Sequence, residues 1–184
     1  MKNKLRIIGG DWRSRQVSFI DAPGLRPTPA RVRETVFNWL QYEIFGKQCL
    51  DLYAGSGALG FEAASRGAKA IIQVENNGQA CRSLQDNAKA LSAAQIKTVQ
   101  SDVLRYLEGD AQLFDVVFLD PPFGLDLVVQ TCVLLEKNGW LAKHAKIYVE
   151  TERIFDFGTA MPENWQQLKS KTAGEVGYHL FGRT

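Results

Sequence analysis

The sequence predicts an α/β fold, a doubly wound and mainly parallel seven-stranded sheet with an amino-terminal arm and a carboxy-terminal β-hairpin. Three observations carry this prediction. From Cys49 onward, short apolar strand patterns alternate with helical patterns, which is typical of a parallel sheet with right-handed crossovers. The last 20 residues are typical of two strands around Ala173-Gly174, and the first 28 show neither a long helix nor an alternating unit.

The elements follow one another in a clear order. The arm contains two strand-like pieces, LRIIGG and QVSFI, and RPTPARVRETVFNWL then predicts a helix with Thr28 as its cap and Pro29 in its first position. Helices are also expected after a Gly-rich turn as far as about Arg66, over residues 77–91, and over residues 125–137. The predicted strands are CLDLYA, AIIQVE (70–75), IKTV (96–99), FDVVFLD (114–120) and AKIYVE (145–150), completed by the hairpin of WQQLKSK and EVGYHLF.

Charge is distributed unevenly along the 184 residues. Residues 1–33 carry eight Lys/Arg and two acids, although the whole chain has a net charge of only +2. This asymmetry indicates that the arm meets a polyanion, so we expect a basic arm and helix at 1–40 and the main domain at 41–184. Three scattered cysteines and two histidines make disulfides and a metal site unexpected. The absence of a signal-like start and of a membrane-length apolar run predicts a cytoplasmic protein.

Acidic residues lie at or near the carboxyl ends of four of the predicted strands. Ligands of such sheets lie beyond the carboxyl ends of the strands, so these positions are the candidates for a binding site. Asp51 lies near the end of the first strand, Glu75 ends the second, Asp102 follows the third, and Asp120 ends the fourth. After Asp51 comes a glycine turn, with Gly55, Ser56 and Gly57 as its central residues.

The glycine turn admits two cofactor interpretations. Gly55, Gly57 and Gly60 spell G-x-G-x-x-G, and Glu75 follows 20 residues after Gly55, as in NAD-dependent oxidoreductases. Asp51, however, would repel a pyrophosphate but suits the ammonium of a methionine moiety. We therefore predict S-adenosylmethionine, with Glu75 on the ribose hydroxyls and Asp102 on the adenine amine.

The stretch DPPF, residues 120–123, predicts an acceptor for an amino group on a planar ring. Pro121 and Pro122 offer no N–H, so the bend presents the Asp120 carboxylate and the Pro121 carbonyl as acceptors, with the Phe123 ring as a stacking surface. Such acceptors can free the lone pair of a base amine for attack on a methyl donor held in line. The base would be single-stranded or flipped out of its helix.

These motifs resemble the class I S-adenosylmethionine-dependent methyltransferases, and more closely the bacterial enzymes that methylate the exocyclic N2 of a guanine in 16S ribosomal RNA. The resemblance spans nearly the whole chain, in RIIGGDWRSR, RPTPARVRETVFNWL, DLYAGSGALGFEAASRGA, FLDPPF and NGWL. It implies the Rossmann-like methyltransferase fold, with 16S RNA or the assembling small subunit as partner. Two positions depart from the family pattern: Ser14 replaces an expected glycine and Ala30 an expected aspartate.

The resemblance gives the arginines of the arm two alternative roles. They would neutralise RNA phosphates, or the stretch 26–33 would fold over the cofactor and line the transfer site. The residues concerned are Arg13, Arg15, Arg26, Arg31 and Arg33. Trp12 and Phe19 are expected to pack rather than to stack on bases.

Alternative functions remain open from the sequence. DPPF equally suits adenine N6, cytosine N4 or a protein glutamine amide, because each presents an NH₂ group. A non-catalytic RNA-binding assembly factor and an NAD oxidoreductase are the other classes. No interaction motif is present, so we expect a monomer.

Overall fold

A computed structural model of the chain describes residues 2–21 and 27–184. It contains nine strands and five helices in these residues. The strands are β1 (Lys2–Arg6), β2 (Gln16–Ile20), β3 (Gln48–Leu52), β4 (Ala70–Glu75), β5 (Ile96–Gln100), β6 (Phe114–Leu119), β7 (Leu141–Glu152), β8 (Trp165–Ala173) and β9 (Val176–Arg183). The helices are α1 (Ala30–Trp39), α2 (Ala58–Ser65), α3 (Gly78–Ala90), α4 (Val103–Leu107) and α5 (Leu127–Lys137).

Seven strands form one sheet in the order β5-β4-β3-β6-β7-β9-β8. The first five are parallel, and the carboxy-terminal hairpin β8–β9 adds to β7 in antiparallel pairing. The predicted seven-stranded, mainly parallel sheet is therefore confirmed. Because the strand order reverses between β3 and β6, the carboxyl ends of these two strands form the crevice where ligands of such sheets bind.

Helices cover the sheet on both faces, which explains why its central strands are apolar on both sides. On one face, α1 and α2 pack through Val36, Phe37 and Ala63 against a core that includes Phe118 of β6. On the other face, α4 and α5 enclose a second core around Trp140. Among the described residues, no helix is both long enough and apolar enough to cross a membrane.

The arm is a two-stranded hairpin of β1 and β2 that packs on α2 and α3. Ile7, Val17 and Phe19 are buried with Phe61 and Leu84, so Phe19 is a packing residue as predicted. Gly10 makes this close approach possible: its φ is +75°, and a Cβ there would lie 1.9 Å from the backbone oxygen of Ser65. The division at residue 40 into an arm with its helix and a main domain stays a prediction, and α1 shares a core with the sheet.

The structure corrects two details of the predicted elements. Thr28 does not cap α1, because Pro29 occupies the cap position without a side-chain hydrogen bond and the Thr28 hydroxyl donates to Glu150 instead. The sequence also showed no sign of α4, which at five residues is too short to show a helical period.

Candidate functional site

The glycine turn lies between β3 and α2 and owes its shape to three residues with positive φ, Tyr53 and two glycines. Gly55 has a φ of +54° and Gly57 a φ of +76°, a region that costs other residues about 1–2 kcal/mol. A Cβ on Gly57 would also lie 2.5 Å from Cδ2 of Leu84. Ser56 is buried, and its hydroxyl accepts a hydrogen bond from the N–H of Ala58 at 3.3 Å. The turn is thus tight and closely packed from below.

Asp51 lies beneath this turn rather than at its surface. Its side chain is 2% exposed, and Oδ2 accepts hydrogen bonds from the N–H of Gly60 at 3.0 Å and from the Gln73 amide at 3.5 Å. Burial raises the pKa of Asp51 to about 7. The contacts show Asp51 holding the first turn of α2, and its predicted contact with a ligand ammonium stays a prediction.

Glu75, at the end of β4, is bonded to the same turn. Its Oε2 accepts from the N–H of Gly55 and its Oε1 from the N–H of Asn77, both at 2.8 Å. Each carboxylate oxygen can accept a further hydrogen bond, so two ribose hydroxyls can still be accommodated.

Asp102 caps α4 through Oδ1, which accepts from the N–H of Arg105 at 3.0 Å. The residue is exposed, and Oδ2 has no donor among the described residues. Its predicted contact with an adenine amine is compatible with this free oxygen.

The corner of residues 120–123 follows β6 directly. Pro121 is buried, Asp120 is partly exposed, and Phe123 is 42% exposed, which leaves the phenyl ring available to a ligand. Gly124 then turns the chain with a φ of +76° and donates its N–H to Oε1 of Glu152 at 2.7 Å. The corner is therefore fixed at both ends, by β6 and by β7.

Asp120 lies beside a second carboxyl group, that of Glu150. The register pairs Leu119 of β6 with Val149 of β7, so the next residues of both strands stand side by side. Glu150 is 4% exposed, and its Oε1 accepts hydrogen bonds from the hydroxyls of Thr28 and Tyr148, each at 2.8 Å. Burial and then the charge of Glu150 raise the pKa of Asp120 well above its usual value. Burial also raises the pKa of Glu150.

Sequence reasoning missed Glu150 and Thr28 as neighbours of Asp120. The signal for Glu150 was present, because an acid ends AKIYVE just as acids end the strands that supplied the other candidates. Thr28 could not have been found in this way, since 122 positions separate it from Glu150.

The predicted RNA-binding arginines fall into two groups. Arg13, Arg15 and Arg31 are exposed, and Arg15 donates one hydrogen bond to the carbonyl of Ala90. Arg26 lies outside the described residues.

Arg33 is different, because its side chain is only 4% exposed. The guanidinium donates to the carbonyls of Thr28 and Arg6 and pairs with Glu62 at 3.4 Å. As placed, Arg33 cannot reach a phosphate. It anchors the stretch that follows the arm, which agrees with the alternative in which this stretch folds towards the site.

The donor set of the site suits S-adenosylmethionine. Carboxylates at the carboxyl ends of β4 and β5 lie on one side of the tight glycine turn that follows β3. Acceptors are therefore available for ribose hydroxyls and an amine, while the turn leaves room for a chain to pass. Among the described residues, no cluster of three His, Cys, Asp or Glu side chains could hold a metal ion.

Comparisons with known proteins agree with this geometry. The family model described as "Conserved hypothetical protein 95" matches residues 5–182. Ribosomal RNA small subunit methyltransferase D of Escherichia coli is 46% identical over 180 residues, which cover 98% of this chain and 90% of that protein. The protein of the same name from Haemophilus influenzae is 45% identical and covers 98% of this chain and 94% of its own length.

Solved structures show the same similarity in three dimensions. A structure from Escherichia coli has a TM-score of 0.89 at 44% identity, covering 98% of both chains. The 16S rRNA N2 G1207 methyltransferase of Thermus thermophilus, solved with AdoMet and guanosine, has a TM-score of 0.74 at 25% identity. That likeness covers 100% of this chain and 50% of the Thermus chain.

Proposed function

This chain belongs to the family described as "Conserved hypothetical protein 95", together with ribosomal RNA small subunit methyltransferase D, and we propose that it methylates the exocyclic N2 of a guanine in 16S ribosomal RNA. The methyl donor is S-adenosylmethionine, which supplies an electrophilic methyl group on a sulfonium. The substrate is the RNA of the small ribosomal subunit, so the enzyme acts in the cytoplasm.

One observation carries the proposal: two segments follow neighbouring strands at the same level. They are the glycine turn, which would hold the methyl donor (the donor turn), and the corner of residues 120–123, which would hold the amine (the acceptor corner). β3 and β6 are parallel, and the register pairs Leu52 with Leu119. The glycine turn after Leu52 and the corner after Leu119 therefore lie side by side. A methyl donor on the turn and an amine at the corner can be held close and aligned, which is the main requirement of a displacement reaction.

The corner can bind a guanine by its amine and by its ring. Asp120 and the carbonyl of Pro121 accept the two N–H hydrogens, and the exposed ring of Phe123 stacks on the base. Stacking on an aromatic ring contributes about 1–3 kcal/mol per base, which offsets the few kcal/mol needed to flip the base out.

The exposed arginines of the arm and of α1 supply the affinity for the RNA backbone. Arg13, Arg15 and Arg31 neutralise phosphates, which gives binding that falls with salt and depends little on sequence. Arg31→Gln should weaken RNA binding and reduce the salt slope by about 1. Lys169→Gln, an exposed position on the edge strand β8, is the matched control and should leave the slope unchanged.

The direct test is methyl transfer to unmodified small-subunit RNA. Labelled S-adenosylmethionine is incubated with the protein and with either 16S RNA or small subunits that lack the modification, and the nucleosides are then separated. We expect label in N2-methylguanosine. Label in N6-methyladenosine, N4-methylcytidine or protein would assign another amine, and no label in any fraction would favour an assembly factor.

The role of Asp120 is tested by Asp120→Ala. We expect a loss of methyl transfer of at least about 10²-fold with S-adenosylmethionine binding retained, because the residue holds the acceptor amine. Full activity in this variant would contradict the assigned role.

Calorimetry tests the donor site. S-adenosylmethionine should bind and NAD should give no heat, whereas binding of NAD alone would reverse the cofactor assignment. If the ammonium of the donor contacts Asp51, binding releases the proton that the raised pKa of Asp51 retains near neutral pH. The heat would then vary with the ionisation enthalpy of the buffer at pH 6.5, and this variation should vanish in Asp51→Asn.

A further inference from the structure

We propose that Glu150 is a positioning residue for methyl transfer: it shares one proton with Asp120 and takes that proton over when Asp120 accepts the one that the amine loses. This inference rests on the proposed function, in which Asp120 binds the amine.

The geometry around Glu150 supports a shared proton. Both hydroxyl donors, from Thr28 and Tyr148, are placed on Oε1 at 2.8 Å. Among the described residues, no hydroxyl or amide donates to Oε2. Asp120 directly follows Leu119, which is in register with Val149, so it lies beside Glu150 of β7 and a proton between the two carboxyl groups satisfies the free oxygen of Glu150. The second oxygen of Asp120 remains available to accept an N–H of the amine.

The electrostatic surroundings favour a single negative charge on the pair. The titratable groups that face it are Asp51 from β3, Tyr148 from β7, and Tyr178 of β9, which is in register with Glu150. Arg33 of α1 pairs with other groups. Two adjacent carboxylates, one of them on the buried Glu150, repel each other, so one of them retains a proton, and the pKa of Asp120 is raised accordingly.

The shared proton accounts for every charge in the reaction. The amine nitrogen bonds to the methyl carbon as the carbon–sulfur bond breaks, and the bonding pair stays on sulfur. The nitrogen loses one proton to the free oxygen of Asp120, and the proton that Asp120 already held passes to Glu150. The positive charge of the sulfonium and the negative charge of the pair disappear together.

The experiment is the pH dependence of single-turnover methylation for the wild-type protein and Glu150→Gln. The wild type should lose rate at low pH, where Glu150 is protonated and cannot take a proton. It should also lose rate at high pH, because without the shared proton the two carboxylates repel each other and Asp120 is no longer held against the amine. The amide that this substitution introduces cannot share a proton but can donate to Asp120, which then ionises at lower pH. We expect the alkaline limb to vanish, the acid limb to move to lower pH, and the rate at pH 7 to fall about 10²-fold.

Two further variants make the result specific. Thr28→Val removes one hydrogen bond to Glu150. The acid limb of the pH–rate profile should therefore move to higher pH by about one unit. Glu163→Gln, an exposed glutamate outside the site, should behave as the wild type. Both limbs unchanged in Glu150→Gln would overturn the proposal whatever the rate, because a purely structural role lowers the rate at every pH alike.

A titration without substrate separates this proposal from the proposed function. In carbon-13 NMR of the protein alone, one carboxyl group of the pair should titrate well above the usual range of a carboxyl, and this titration should be missing in Glu150→Gln. If the wild type methylated no RNA, the proposed function would fail while this titration still showed whether the proton is shared. A wild type in which both carboxyls titrate near their usual values would refute the shared proton.

Discussion

Glu62 fixes the arm to the main sheet, and its replacement by glutamine gives the sharpest test of that attachment. The carboxylate is 0% exposed and accepts from the N–H groups of Ile8 at 2.9 Å and Gly9 at 2.8 Å. It also pairs with Arg66 at 2.9 Å and with Arg33 at 3.4 Å. Four donors thus converge on one buried charge, and two of them belong to the arm.

Glu62→Gln keeps the shape but turns one acceptor oxygen into an NH₂ group that faces two donors. Removing one partner of a buried ion pair costs about 3–5 kcal/mol, and Arg33 would be left without its counter-charge. We therefore expect the free energy of unfolding, measured in urea, to fall by about 3–5 kcal/mol. For a chain of this size, that loss lowers the Tm by roughly 6–20 °C.

Glu43→Gln is the control, because Glu43 pairs with Lys146 at 3.5 Å with 40% of its side chain exposed. The free energy of unfolding of Glu43→Gln should fall by no more than about 1 kcal/mol. Hydrogen exchange should show faster exchange in residues 7–18 of Glu62→Gln. A loss of stability no larger than that of Glu43→Gln, with unchanged exchange in the arm, would refute the reasoning.

Three further predictions concern stability. Ser14 has a φ of +69°, so Ser14→Gly should increase the free energy of unfolding by about 0.5–1 kcal/mol and raise the Tm. A lower Tm in the variant would contradict this. Hydrogen bonds from Arg183 lower the pKa of Glu136 to about 2, so its stabilisation is complete above about pH 5 and is lost as pH falls towards 2. In chemical denaturation, Glu136→Gln should lower the free energy of unfolding by up to about 3 kcal/mol at pH 7 and by little at pH 2. An equal loss at both pH values would count against a stabilising ion pair of Glu136 with Arg183. Because the pKa of Asp51 is raised, the free energy of unfolding of the wild type should fall by at most about 4 kcal/mol as pH rises from about 4 through 7. Asp51→Asn should remove this decline. A decline that persists in the variant would assign it to other groups.

The sequence predicted the elements whose signal is local. The strands AIIQVE and IKTV appear within one residue of their predicted bounds, since each combines apolar side chains with a turn at its end. Ser14 also has a local explanation: the position that the family pattern assigns to glycine has positive φ, which glycine adopts without strain.

The parts of the site that the sequence did not reveal depend on long-range contacts. A threonine before a helix is a good cap by local rules, yet Thr28 bonds Glu150, because a buried carboxylate needs a donor more than the exposed start of α1 does. The position of Asp51 near a strand end predicted a ligand contact, which stays a prediction. Its burial below the turn could not be predicted, because it depends on α2 and β4 packing around it.

The short segment from Thr28 to Arg33 links the two halves of the site. Thr28 bonds Glu150 beside the acceptor corner, and Arg33 bonds Glu62 on α2, the helix that begins at the glycine turn. Glu62 in turn binds the arm, whose exposed arginines are the proposed contacts to RNA. A displacement of this segment therefore alters the environment of Asp120 and the support of the donor turn together. We therefore predict that the arm influences the reaction at the strand ends through these contacts, in addition to the proposed attraction of its arginines for phosphate.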